Sequence, residues 1–124
     1  MKILLVNLPW KNGNQWGVRA GSRWPHIKTV PEQGYLPYPF FLAYSAALLK
    51  KEGFEVRLID ALAEELPPKL FLKKVVFEKP DLLVAETSTP SLLSDLEILS
   101  SLPAEMPIAL CGPEANIRNT AFIS

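Results

Sequence analysis

Four short apolar runs, each separated from the next by a stretch with helical periodicity or by a long loop, constrain this chain more than anything else in it. Residues 2–7, Lys-Ile-Leu-Leu-Val-Asn, are extended by Leu8 and stopped by Pro9, and read as a strand buried on both faces. Residues 54–60 alternate as a second strand ending at Asp60, residues 81–86 supply a third, and residues 107–111 a fourth that Gly112-Pro113 closes. The helical stretches carry start and stop signals. Residues 40–52 are rich in alanine and leucine, with Pro39 at a first helical position and Gly53 just past the end. Pro67 and Pro68 start a second helix through about residue 78, which Pro80 stops. A third runs over about residues 92–102, with Ser91 as its cap and Ser94 and Asp95 in its first turn. Glu114 onward allows the start of a fourth.

Strands alternating with helices imply a parallel sheet, because each helix returns the chain so that the next strand runs the same way. The fold class is α/β, a doubly wound, flavodoxin-like (Rossmann-like) parallel sheet. Such a sheet, in the order 2-1-3-4-5, needs a fifth strand. The chain reaches Ile123-Ser124 without one, so the expectation is a sheet truncated before its fifth strand, in a piece of a longer protein. The alternative is an open edge on the fourth strand that another chain covers, making a homo-oligomer. The first helix is apolar nearly all round, which places Phe40, Phe41 and Tyr44 in the core, and Cys111 reads as a small buried residue.

The connection between the first strand and first helix, residues 9–39, holds all three tryptophans, the sole histidine, four of the six glycines and five of the twelve prolines. Roughly 30 residues is far beyond the usual length of such a connection, and long ordered loops are most often binding loops or lids. Gly13, Gly17, Gly21 and Gly34, with Asn12 and Asn14, also suit partial disorder. Trp10, Trp16, Trp24, Tyr35 and Tyr38 weigh toward an ordered, ligand-facing loop, since disordered segments are poor in aromatics. Lys11, Arg19, Arg23 and Lys28 stand against Glu32 alone, a balance that suits an anionic ligand group.

A chain of 124 residues has length for one domain and one core. Its formal net charge of zero gives nucleic-acid binding no support. No apolar run approaches the ~18 residues of a membrane span, and Met1 leads directly into a strand without signal-peptide architecture, so a cytoplasmic protein is expected. The single Cys111 forbids an internal disulfide and a cysteine-cluster metal site built by this chain.

Open parallel sheets bind ligands outside the carboxyl ends of their strands. The segments there are the long loop, residues 60–63, the hydroxyl-rich corner Thr87-Ser-Thr-Pro-Ser91, and Cys111-Gly-Pro-Glu114. No Walker loop, glycine fingerprint after the first strand or Ser-His-Asp arrangement is present, and Glu86 and Thr87 stand where a phospho-acceptor aspartate would end the third strand. Asp60 is either a ligand contact or a cap for its own turn. Glu86, at the end of a buried strand, requires a cationic or hydrogen-bonding partner, for which Arg19 and Arg23 are candidates. The same two arginines could clamp a phosphate or carboxylate, or be solvated. Gly112 would let a ligand approach the backbone closely.

The residues also carry a resemblance. Residues 2–10, 17–26, 35–44, 56–61, Glu86-Thr-Ser-Thr-Pro90 and Gly112-Pro-Glu114, in that order and spacing, resemble the N-terminal cobalamin (B12)-binding domain of B12-binding radical S-adenosylmethionine proteins, over essentially the whole chain. The resemblance implies a corrin ring on the carboxyl ends of the strands and a nucleotide tail running down beside the sheet. It puts Thr87, Ser88 and Thr89 along the tail and Gly112 where the tail enters. The loop from Trp10 to His26, with Arg19 and Arg23, flanks the corrin or faces a catalytic domain. The cobalt-ligating pattern Asp-x-His-x-x-Gly is broken around His26, with Trp24 at the Asp position and Thr29 at the Gly position. Base-off cobalamin without a protein histidine on the metal is therefore implied. The Cys-x-x-x-Cys-x-x-Cys set for a 4Fe-4S cluster is absent, so cluster, S-adenosylmethionine and catalysis, a methyl transfer or related radical chemistry, belong to a downstream partner domain. The chain alone is then not catalytic. The competing expectations are a non-enzymatic interaction module and a flavodoxin-like domain holding FMN or another phosphorylated ligand.

Overall fold

Each of the four apolar runs forms a strand where its pattern places it. The structure, a computed structural model, describes residues 1–12, 15–17, 28–29, 38–113 and 115, with the backbone alone at 11–12, 15–17 and 28–29. The elements are β1 (Lys2–Asn7), β2 (Lys11–Asn12), β3 (Gln15–Gly17), β4 (Lys28–Thr29), α1 (Phe40–Lys51), β5 (Glu55–Asp60), α2 (Pro68–Glu78), β6 (Leu82–Glu86), α3 (Leu92–Ser100) and β7 (Ile108–Cys111). The four main strands form one sheet in the order β5-β1-β6-β7, with every pairing parallel. This is the α/β, flavodoxin-like order over its first four strands.

Two cores lie on opposite sheet faces because side chains alternate along a strand. Leu4, Val6, Leu83 and Ala85 pack under Phe71 and Val75 of α2 and Ile98 and Leu99 of α3. Complete burial of the Phe71 ring contributes about 2–3 kcal/mol. Ile3, Leu5 and Val56 pack under Leu42 of α1. At the amino end of β1, Lys2 Nζ donates to Glu78 Oε2 at 2.7 Å and to the Glu78 carbonyl at 2.6 Å, pinning the end of α2 to the sheet. That ammonium holds the Glu78 carboxyl below its ordinary value of 4.5.

The first helix departs from the sequence expectation. Leu42 is its one buried residue, with Ala46 and Leu49 partly buried in the same stripe, while Phe40, Phe41, Tyr44 and Leu48 are 49–71% exposed. Phe40, Phe41 and Tyr44 are therefore surface and not core. A helix laid across β5 and β1 turns one stripe, spaced i, i+4, i+7, toward the sheet, so an all-round apolar helix leaves its other stripe outside.

Within the long connection, β2, β3 and β4 form a small antiparallel sheet that the loop reading did not foresee. Asn12 pairs with Gln15, which leaves Gly13-Asn14 as the link, a dipeptide type that favours two-residue hairpins. Arg19, Arg23, Trp24, His26 and Tyr35, and the helix start at Glu114, lie outside the described residues.

After β5 the chain makes one capped helical turn. Asp60 Oδ1 accepts the backbone N–H groups of Leu62 and Ala63, both at 3.2 Å. The turn closes with Leu66 N–H on the Ala61 carbonyl (2.9 Å) and Glu65 N–H on the Leu62 carbonyl (3.1 Å), the paired bonds of a Schellman motif. Its left-handed position is held by Glu65 at φ 51°, where glycine is relaxed and a side chain is not. Glu65→Gly is expected to raise stability by about 0.5–1 kcal/mol, visible as a melting temperature a few degrees higher in a thermal unfolding scan.

Candidate functional site

The parallel register sets a polar row across the carboxyl ends of the main strands. Asp60 lies beside Asn7, Asn7 beside Glu86, and Glu86 beside Cys111. The row two residues earlier is Leu58, Leu5, Val84 and Ala109, so the α1 face of the sheet changes from apolar to polar in one step. Asn7 and Glu86 are buried, at 3% and 5% exposure. Asn7 Nδ2 donates to Asp60 Oδ1 at 2.9 Å. With the two turn amides on the same oxygen, that bond shows Asp60 acting as a cap that also orients Asn7. Cys111 is half-buried, and its thiol donates to the Ala85 carbonyl at 3.6 Å. Burial first, and then the Glu86 carboxylate beside it, push that thiol up to about 11.

Above this row and the apolar row beneath it lies a groove of about 520 Å³ between α1 and the β6–β7 half of the sheet. Leu5, Phe41, Leu42 and Val84 make it apolar, and Ser45, Glu86, Cys111 and Gly112 bring polar atoms and backbone to it. Among the described residues, α1 packs on β5 and β1, and no described helix packs on the neighbouring half of that face. The groove also touches β1 and β6, the strands flanking the point where the strand order reverses, where open α/β sheets take their ligands. A larger groove, about 630 Å³, lies on the opposite face between α2 and α3. Its Glu65, Glu97 and Ser101 are exposed, Ser94 is half-exposed, and no buried polar group lines it. The smaller groove, with a buried carboxylate in its wall, is the better site.

The corner after β6 is built differently from the sequence expectation. Thr87 and Ser88 are buried, and their hydroxyls point into the protein. Thr87 Oγ1 and Ser91 Oγ each donate to Asp95 Oδ2 at 2.7 Å, and Ser88 Oγ meets Ser91 Oγ at 2.8 Å. Asp95 is fully buried at the head of α3. The Thr87 and Ser88 hydroxyls, expected along a ligand, thus serve an internal network, while Thr89 is exposed. Ser91 occupies the cap position of α3 but makes no side-chain cap bond, because its hydroxyl is drawn to Asp95 and Ser88.

Gly112 sits at φ +117°, and a Cβ there would lie 2.2 Å from the Thr87 carbonyl oxygen. The close approach that demands glycine is made by the protein's own backbone, next to the bond from Thr87 N–H to the Cys111 carbonyl at 2.9 Å. Trp10 is half-buried just past β1.

Asn7 and Asp95 were missed by the sequence reading. Asp95 had a signal: it falls on the stripe Leu92, Ile98, Leu99 and Leu102, all buried, and an acid on an apolar stripe needs donors, which Thr87 and Ser91 supply. Asn7 had none beyond its place at the end of a strand.

Among the described residues no cluster of His, Cys, Asp and Glu could hold a metal ion, and no helix is long and apolar enough to cross a membrane. No family model, curated protein or solved structure matches this chain.

Proposed function

We propose that this chain is a cobalamin-binding domain that takes the nucleotide tail of the cofactor into the groove between α1 and β6–β7, with the corrin over the carboxyl ends of the strands. The observation that carries the reading is the groove itself, open at the carboxyl end, apolar along Leu5, Leu42 and Val84, and polar at Glu86. The shape and chemistry suit a tail with a flat apolar base and a polar sugar. Leu5, Leu42 and Val84 would hold the base, and Gly112 and Pro113 would border the entrance. Thr87 and Ser88 act one step back, through the Asp95 network that fixes the corner beside Gly112.

Bound cobalamin supplies methyl-transfer or related chemistry at its cobalt, and the protein's share is binding, orientation and exclusion of water. The proposal extends to a partner radical S-adenosylmethionine domain, carrying the iron-sulfur cluster and the catalysis, and to a cytoplasmic setting. The exposed stripe of Phe40, Phe41 and Tyr44 favours a second reading, a non-enzymatic interaction module.

Calorimetric and visible titrations with cyanocobalamin and, separately, FMN discriminate the readings. Saturable cyanocobalamin binding with no FMN binding is expected. FMN binding alone would support the phosphorylated-ligand alternative, and binding of neither would leave the interaction module.

A further inference from the structure

The face of α2 turned away from the sheet mixes apolar side chains with lysines and carries no acid. Phe71 and Val75 are buried on its sheet side. At about 100° per residue, Val76, Lys69, Lys73, Phe77 and Leu70 follow one another across an arc of about 120° on the opposite side. All five are exposed, Phe77 to 82%, Leu70 to 50% and Val76 to 47%. The acids near α2 do not neutralise the two lysines. Glu64 pairs with Lys74, and Glu78 pairs with Lys2 at 2.7 Å. Glu65 lies on the groove that Pro68 and Leu72 border, on another side of the helix. Neither Lys69 nor Lys73 makes an ion pair with a described residue. Lys79, just past the helix, is exposed as well.

Protein–protein interfaces are depleted in lysine, because a desolvated ammonium must find a partner. At a bilayer surface the lysine stems lie along the apolar plane while the ammonium groups reach anionic headgroups. Lysines interleaved with exposed apolar side chains therefore suit lipid better than protein. We infer that the outer face of α2 is a peripheral contact for an anionic lipid surface. Leu70, Val76 and Phe77 enter between the headgroups, and Lys69, Lys73 and Lys79 meet their negative charge. The helix lies in the plane of the interface and does not cross the bilayer. It packs on the sheet face opposite α1, so the contact leaves the groove between α1 and β6–β7 free.

Co-sedimentation of the 124-residue chain with phosphatidylcholine vesicles, with and without phosphatidylserine at about one lipid in three, tests the contact. Binding to the mixed vesicles is expected, with little to phosphatidylcholine alone. Most of it should be lost in about 1 M salt, where the screening length falls to about 3 Å. Lys69→Gln and Lys73→Gln are each expected to weaken binding by about fivefold, and Phe77→Ser by about tenfold. All three side chains are exposed, and an unchanged thermal unfolding midpoint checks that each variant keeps the fold. Absence of binding to the mixed vesicles overturns the inference, as does binding that Lys73→Gln and Phe77→Ser leave unchanged. Soluble poly-glutamate that displaces the chain from the vesicles at equal charge concentration would also overturn it, in favour of an acidic protein surface.

Discussion

Gly112→Ala is expected to lower the unfolding free energy by about 3 kcal/mol and the melting temperature by on the order of 10 °C. Two costs act together. A side chain at φ +117° is strained wherever it sits, and here the added Cβ would stand 2.2 Å from the Thr87 carbonyl oxygen. The obstacle is backbone, fixed by the Thr87 N–H bond to the Cys111 carbonyl, so no side-chain rotation relieves it. The end of β7 must move away from β6, which opens the groove at Glu86 and Cys111. If the chain binds cobalamin as proposed, that binding is expected to weaken along with stability. Urea unfolding checks the first effect, and an unchanged midpoint would show that the β6–β7 corner yields without cost.

Asp95→Ala is expected to cost about 3 kcal/mol or more, because it leaves the Thr87 and Ser91 hydroxyls without the oxygen that both use at 2.7 Å, in a place without exposure. Asp95→Asn keeps an acceptor oxygen and the side-chain volume, and about half that loss is expected. In urea the midpoints should fall in the order wild type, Asn, Ala with little change in slope, since the surface exposed on unfolding is nearly the same. Equal midpoints for Asn and Ala would mean that the charge, and not the accepting oxygen, organises the corner.

The sheet was legible because its signals are local and mutually consistent. Pro9 and Pro80 bound the apolar runs, Pro68 opens α2, and Gly53 lies at φ +90° past α1 where a helix exit takes glycine. The features that escaped were set by the tertiary arrangement. Nothing local says which stripe of α1 meets the sheet when Leu42, Phe40, Phe41 and Tyr44 are all apolar; the position of β5 and β1 decides it. The antiparallel pairing of β2 with β3 had a local signal in the sequence between them, but in a glycine-rich stretch it read as irregularity. Four hydroxyls in five residues after β6 suggested a ligand, and the competing demand came from Asp95, on the next helix. Likewise the row Asp60, Asn7, Glu86 and Cys111 comes from residues far apart in the chain and exists once the parallel register aligns them.

The most direct test of the central claim uses Cys111, the single cysteine of the chain and part of the groove wall. With its thiol pushed up to about 11, alkylation by iodoacetamide at pH 8 should be slow and should quicken steeply with pH. A saturating concentration of cyanocobalamin is predicted to slow that labelling by about tenfold or more, while cobinamide, which lacks the nucleotide tail, leaves it within about twofold of the free rate. Labelling that is unchanged by bound cyanocobalamin, or slowed equally by cobinamide, would contradict the placement of the tail between α1 and β6–β7.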